Sequence, residues 1–437
     1  MEKGLISVDR WSGESQAYFL THLHPDHTKG LSSSWSKGPI FCSRLTAKIF
    51  PFKFPDFKLS LLRILDSGSW HTVPLVSPTT GSKTVVEVIA IDAHHCPGAV
   101  MFLFRGDFGC LLYTGDFRWE TRSERAKQGR TMLVDALNDS TVDILYLDNT
   151  YCNPSYDFPP REVAAQQVVD IIASHPEHDI VIGIDSLGKE DLLLFISRAL
   201  KIKIWVWPER LQIMHLLGFH DIFTTKTSLT RVRAVPRYSF SIETLEGLNT
   251  MRPTIGIMPS GLPWAAKSFD GNDNLFGSLL TSRYNKSKWT GNGGIKTDKP
   301  YECLGSVKRF HEYIYSVAYS DHSSFSEIGE FVKHVQPFHM KGIVSSSSCY
   351  VDPMYYFGRL CGVNQPAQRS HIKDKRKDRD EVAFGIKSLF DKSSSADIDT
   401  TRGRSMKVQL LTAQVSRVRA FRRLRCGAKI VENDSLD

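Results

Sequence analysis

His22-Leu23-His24-Pro25-Asp26-His27 places four metal-ligand side chains within six residues, directly after the apolar run Ala17-Tyr18-Phe19-Leu20. An apolar run that empties into a polar loop reads as a strand end, where chemistry is usually placed. His22 and His24, two residues apart, leave the strand on the same side. Asp26 and His27, arriving after Pro25, can turn toward an adjacent position. Imidazole nitrogen and carboxylate oxygen are standard zinc ligands, so the residue types fit as well as the spacing. The bland alternative is a histidine-rich polar loop.

Three further candidates each follow an apolar run: His95 in His94-His95-Cys96-Pro97-Gly98, Asp116 in Thr114-Gly115-Asp116-Phe117, and His322 in Ser320-Asp321-His322-Ser323. A lone histidine is more often a hydrogen-bonded core or surface residue, and an Asp after Gly is usually a turn former. With the first cluster, however, they complete a ligand set.

Between these residues, the runs 85–91, 99–104 and 110–114 predict three strands of a β-meander. From about Val142 the pattern alternates: strand Ile144 to Leu147, helix Arg161 to Ser174, strand Ile180 to Ile184, helix Lys189 to Leu200, strand Ile202 to Val206. That is the rhythm of a parallel α/β sheet. A helix is expected over Phe325 to Val335 and a strand over Met340 to Val344. Residues 262–300 read as a long loop rich in Gly, Asn, Ser and Lys.

The 437 residues carry a formal charge of +8, yet from Pro366 onward there are 17 Lys+Arg against 10 Asp+Glu, leaving 38 against 37 before it. The body is therefore nearly neutral, and a basic tail holds the excess, suited to non-specific phosphate attraction. Eight scattered cysteines without a CxxC pair imply reduced thiols in a cytosolic or nuclear compartment. No apolar run approaches the roughly 20 residues that cross a bilayer, so no membrane association is expected.

The order Asp9, His22-x-His24-x-Asp26-His27, His95, Asp116 resembles the four motifs of the metallo-β-lactamase fold. Asp148, the His322 segment and Val344 look like the three motifs of its β-CASP branch. Within that branch, 95–98, 113–118, 147–150, 186–190 and 319–324 look like the DNA-repair nucleases. The resemblance covers roughly residues 5 to 350. It implies an αββα sandwich (1–155 and 306–365) and an inserted β-CASP α/β cap (156–305), while the charged, Ser-rich composition from Pro366 onward reads as a basic, disordered tail (366–437).

It further implies that His22, His24 and His95 hold one metal, that Asp26, His27 and His322 hold the other, and that Asp116 bridges them. Asp9 would orient a ligand histidine, and Asp148 would lie beside the site. Zinc is the expected metal at both positions, with manganese or iron as alternatives. The implied activity is that of a nuclear, two-metal 5′→3′ DNA exonuclease, acting in cross-link and double-strand-break repair and at telomere ends, with a monomer as the default expectation. Its alternatives are a structure-specific DNA endonuclease and an RNA endonuclease of the same fold. RNA-processing members of the branch carry a histidine where Val344 stands, which favours DNA.

Ser186-Leu187-Gly188-Lys189 opens a predicted helix, so its amides, a hydroxyl and an ammonium could face a 5′-phosphate. The alternative is a helix start with an exposed lysine. Lys267, Arg283, Lys286 and Lys288, interleaved with aromatic residues, could track a single strand, or simply belong to a solvated loop. In the tail, 373–379 and 417–425 are basic enough for a nuclear address or nucleic-acid patch, and an amphipathic helix over 408–424 could dock a protein partner.

Overall fold

Alternate residues of the strand Ser15–Phe19 (β2) enter two different cores. Ala17 and Phe19 pack with Leu5, Val88, Phe102 and Phe104, whereas Tyr18 and its follower Leu20 pack with Ile40, Ile49 and Phe50. A pleated strand buried on both faces does this, and it fixes the layer order of the molecule. The protein is described from a computed structural model, for residues 4–77, 80–121, 123–138, 140–261, 307–345, 352–362, 424–425 and 427–430.

In the first sheet, β1 (Gly4–Val8), β2, β3 (Ile40–Ser43) and β4 (Leu62–Leu65) run parallel. The second sheet contains β5 (Trp70–Val76), β6 (Lys83–Asp92), β7 (Val100–Gly106), β8 (Gly109–Tyr113), β9 (Ile144–Leu147) and β17 (His339–Gly342), in the order β17-β9-β8-β7-β6-β5. Its strands alternate too. Val100, Phe102 and Phe104 of β7 face the first sheet, while Met101 and Leu103 face helices Glu124–Leu137 (α2) and Phe325–Val335 (α7). Helix α1 (Arg44–Lys53) covers the outer face of the first sheet through Ile49 and Phe50. The layers are thus helix, sheet, sheet, helix, as expected, with the meander β6–β7–β8 in its expected place.

A third, seven-stranded sheet forms the cap, built on the continuous apolar strand Asp179–Ile184 (β10). Ile180, Ile182 and Ile184 pack under α3 (Arg161–Ser174) and α4 (Glu190–Leu200), and Val181 packs against Phe240 and Leu245 on the other face. Burial on both sides explains why β10 lacks polar alternation.

Three expectations change. Strand β9 pairs with β8 and β17 in the sandwich, so the alternating run beginning at Val142 crosses from one sheet to another after its first strand. The return to the sandwich does not begin at 306: β15 (Val307–His311) and β16 (Ile314–Val317) extend the cap sheet beside β14 (Thr254–Pro259). Nor does the tail stay apart throughout. Leu424–Arg425 (β19) pairs with Val344–Ser345 (β18), and Ala428–Ile430 (β20) pairs antiparallel with β1, so Leu424 ends in a strand and not in a helix. The unpaired edge of β1 supplies the backbone donors and acceptors that this strand satisfies. Residues 262–306 and 363–423, with the basic and aromatic residues singled out there, lie outside the described residues.

Candidate metal centre

Strand polarity brings the candidate residues together. Strands β1 and β2 are parallel, and β6, β8 and β9 share one direction because the intervening β7 reverses the chain. Asp9, His22–His27, His95, Asp116 and Asp148 therefore follow C-terminal strand ends at one edge of the sandwich. Two cap-side loops complete the edge: the one after β10, carrying Leu187 and Lys189, and the one after β16, carrying Asp321 and His322. Gly115, at φ +53°, makes the close approach: a Cβ there would lie 2.8 Å from Thr21 Cγ2.

Three inner nitrogens, His22 Nε2, His24 Nδ1 and His95 Nε2, converge, with 3.0 Å between the first pair and 3.1 Å between the last. Their outer nitrogens are committed as donors. His24 Nε2 donates to the Leu187 carbonyl at 2.9 Å, and His95 Nδ1 to the Asp321 carbonyl at 2.8 Å. Thr21 Oγ1 gives its own hydrogen to Asp9 Oδ2 at 2.7 Å and so accepts from His22 Nδ1 at 3.0 Å. A neutral imidazole has one N–H, so three lone pairs face each other in a buried space. Burial, followed by the neighbouring histidines, lowers the pKa of His22 well below its usual value, and burial with His322 brings His95 to about 3. Protons will not relieve this arrangement; a cation would, and edge lengths near 3 Å suit tetrahedral ligands at roughly 2.0–2.1 Å.

Asp116 is central to the second half. Its Oδ1 lies 3.1 Å from His27 Nε2, and its Oδ2 lies 3.7 Å from His322 Nε2, 3.7 Å from His22 Nε2 and 3.6 Å from His95 Nε2. Again the outer nitrogens are spoken for: His27 Nδ1 donates to Asp9 Oδ2 and His322 Nδ1 to Asp148 Oδ2, both at 2.7 Å. Carboxylates in that position fix the tautomer and raise the basicity of the inner nitrogen. Burial alone would lower the pKa of His27, but Asp116 and Asp9 outweigh it and raise it to about 10. Either a proton or a metal cation belongs between His27 and Asp116.

Among the described residues three convergent donor sets result: His22, His24, His95 with Cys96; His22, His27, Asp116; and His95, Asp116, His322. Asp116 thus stands between the two histidine groups. Asp26 joins none of these three sets; it is half-buried in the same loop, where its charge supports the Lys53 ammonium. Cys96 was not singled out from the sequence. Burial, then Glu190 and Asp321, push its thiol pKa well above the usual value.

The Ser186–Lys189 loop opens helix α4 as expected, but its lysine is not the exposed one of the alternative reading. Ser186 is exposed, but Lys189 is only 9% exposed, and its Nζ lies 3.1 Å from Asp321 Oδ2. Helix α4 begins after Lys189, the Gly188 amide donates to Glu190 Oε1 at 2.9 Å, and Arg210 donates to Gly188 O at 2.8 Å and to Glu190 Oε1 at 2.7 Å. Arg161 holds Glu120 at 3.1 Å and lies 3.8 Å from Asp321 Oδ1. Asp321 was marked in the sequence only as part of the His322 segment, and Arg161 and Arg210 gave no separate signal, because a buried ion pair depends on residues distant along the chain.

Residues 219–348 match the family described as DNA repair metallo-beta-lactamase. The chain is 38% identical over 357 residues to the "5' exonuclease Apollo" of Gallus gallus, covering 80% of this chain and 64% of that protein. It is 35% identical to the "DNA cross-link repair protein SNM1" of Arabidopsis thaliana, covering 74% and 59%, and 30% identical to the human "DNA cross-link repair 1A protein", covering 74% and 27%. The chain thus spans less than two thirds of the length of these relatives. Among the described residues no helix is long and apolar enough to cross a membrane. Residues 219–348 thus carry a DNA repair metallo-beta-lactamase domain, and most of the chain is similar to proteins named as a 5′ exonuclease and as DNA cross-link repair proteins.

Proposed function

We propose that the chain is a metal-dependent phosphodiester hydrolase that removes nucleotides from 5′-phosphorylated DNA ends in DNA repair. The observation that carries this reading is the convergence of five imidazole nitrogens on Asp116, four of them within 3.7 Å of its carboxylate oxygens. His22, His24 and His95 would hold one cation, His27 and His322 the other, with Asp116 between them. Asp26 remains an additional ligand candidate from the same loop. Zinc suits the nitrogen-rich set best, with manganese or iron as alternatives. Cations bound there would supply the Lewis acidity that phosphodiester cleavage needs.

The chain's own residues prepare that chemistry. Asp9 and Asp148 keep the outer nitrogens of His27 and His322 protonated and the inner ones directed at Asp116. Leu187 O and Asp321 O do the same for His24 and His95, from loops at the cap side. A terminal phosphate at Ser186 and Lys189 would compete with the Asp321 carboxylate for the Lys189 ammonium. The DNA-repair relatives support a DNA substrate and a nuclear location.

The test is digestion of matched single-stranded DNA and RNA, labelled at either end and carrying 5′-phosphate or 5′-hydroxyl, with Asp116→Ala as control. Stepwise release from the 5′ end of phosphorylated DNA, absent in the control, is expected. Internal cuts would favour an endonuclease, equal rates on 5′-hydroxyl ends would reject the phosphate preference, and preferential RNA cleavage would overturn the substrate assignment.

A further inference from the structure

Residues 424–425 and 427–430 touch the two backbone segments that support the carboxylates behind His27 and His322. Strand β20 pairs with β1 in the register Val8↔Ala428, Ser7↔Lys429, Ile6↔Ile430, and Val8 directly precedes Asp9. Strand β19 pairs with β18 in the register Val344↔Arg425. Val344 is gripped by Asn149, whose side chain accepts from Val344 N at 2.8 Å and donates to Val344 O at 3.1 Å; Asn149 directly follows Asp148. One short segment thus crosses from the Asp148 side of the centre to the Asp9 side.

Contact at the Asp9 end is close. A Cβ at Gly427 would lie 2.6 Å from both Asp9 O and Val8 O, and 2.7 Å from Arg10 Cβ, so only glycine lets the segment pass there without a shift. Ala428 is 5% exposed, within the core between the two sheets. Asp9 itself is held at φ 50°, a conformation a non-glycine residue adopts only where its surroundings support it. From that conformation it meets Thr21 N at 2.9 Å, Thr21 Oγ1 at 2.7 Å and His27 Nδ1 at 2.7 Å.

We propose that the two strand segments at 424–425 and 427–430 are a positioning strap for the metal centre, bracing Asp9 and Asp148 and through them His27 and His322. The inference rests on the metal-centre reading above. His24 and His95 take their outer partners from Leu187 and Asp321, whereas the strap strands pair with β1 and β18, so loss of the strap is selective. His22 feels it through Thr21 and through its ring contact with His27, at 4.1 Å between centroids.

The experiment titrates metal-free full-length protein with zinc while following histidine ring NMR signals, in wild type and Gly427→Val. Expected in the variant is a tenfold or greater weakening of the cation-induced shifts of His27 and His322, with those of His24 and His95 retained, the scale being that of lost supporting carboxylates. Gly427→Ala, a milder change, is examined with backbone hydrogen exchange in case the valine variant fails to fold. Faster exchange in β1 should then accompany weaker binding at His27 and His322. Faster exchange with unchanged binding, or equal losses at all five histidines, overturns the strap. A wild type that binds no zinc instead overturns the metal-centre reading, which separates the two failures.

Discussion

His27 Nδ1 lies 2.7 Å from Asp9 Oδ2, with both side chains almost wholly out of contact with solvent. A buried carboxylate in that position has one main consequence: it keeps the proton on Nδ1 and leaves Nε2 to the centre. Asp9→Asn preserves shape but removes the charge. The expected result is a cation affinity or nuclease rate lower by about 10–100-fold, with rate partly recovered at higher metal concentration. Isothermal titration beside a rate measurement checks this, and an unchanged affinity would show that His27 is oriented by something else.

Without metal, His27 is protonated at neutral pH, because Asp116 and Asp9 outweigh burial and raise it to about 10. The stability this proton contributes is fully present below the unfolded value near 6.5 and is lost as pH rises through the folded value. A cation that binds between His27 and Asp116 must displace the proton. Metal uptake at pH 8 should therefore release about one proton per chain from this group, and affinity should rise roughly tenfold per pH unit between about 7 and 9. A pH-stat titration measures the release; none at all would place the cation away from His27.

Much of this centre was legible in the sequence, for a physical reason. The candidate ligands come from strand ends, and in His22–His27 the spacing reports directly on which side chains leave a strand together. The sandwich was legible because the apolar runs at 85–91, 99–104 and 110–114 have turn residues between them. What supports the candidate ligands was not. Leu187 and Asp321 act through carbonyl groups, which every residue has, and the 3.1 Å contact of Lys189 with Asp321 joins residues far apart in the chain. A continuous apolar strand such as Ile144–Leu147 carries no mark of which sheet it joins, so β9 could be placed in either. The strands at 424–430 lie within a tail whose charge excess reads as unstructured, and only pairing with β1 shows otherwise.

Helix α7 starts immediately after the His322 segment, and its start is secured by a reciprocal pair. Ser324 Oγ accepts from Glu327 N at 3.3 Å, and Glu327 Oε2 accepts from Ser324 N at 2.8 Å. Ser324→Ala removes one half of this capping box and should cost about 1 kcal/mol of stability in denaturant unfolding. Because His322 keeps its own bond to Asp148, zinc stoichiometry should stay at the wild-type value. A variant that loses metal would mean that the cap, and not Asp148, sets the His322 position.

Lys189 and Asp321 join the cap to the loop that carries His322, and both are buried. Burial alone would raise the Asp321 pKa, but Lys189 and Arg161 outweigh it and hold the carboxyl well below the usual range; Lys189 is correspondingly raised. Removing one partner leaves a buried charge uncompensated, so Asp321→Asn or Lys189→Met should each cost about 3–5 kcal/mol, while the double variant should lose much less than their sum. The carboxylate's contribution is present above its unfolded value near 4 and is lost as pH falls below it. Wild type should therefore lose stability more steeply than the double variant between about pH 5 and 3, and equal slopes would remove the pair from the account. On 5′-phosphorylated DNA the single Lys189→Met variant should raise KM, since the ammonium that a terminal phosphate would share with Asp321 is gone. An effect on kcat alone would instead assign Lys189 to holding the His322 loop.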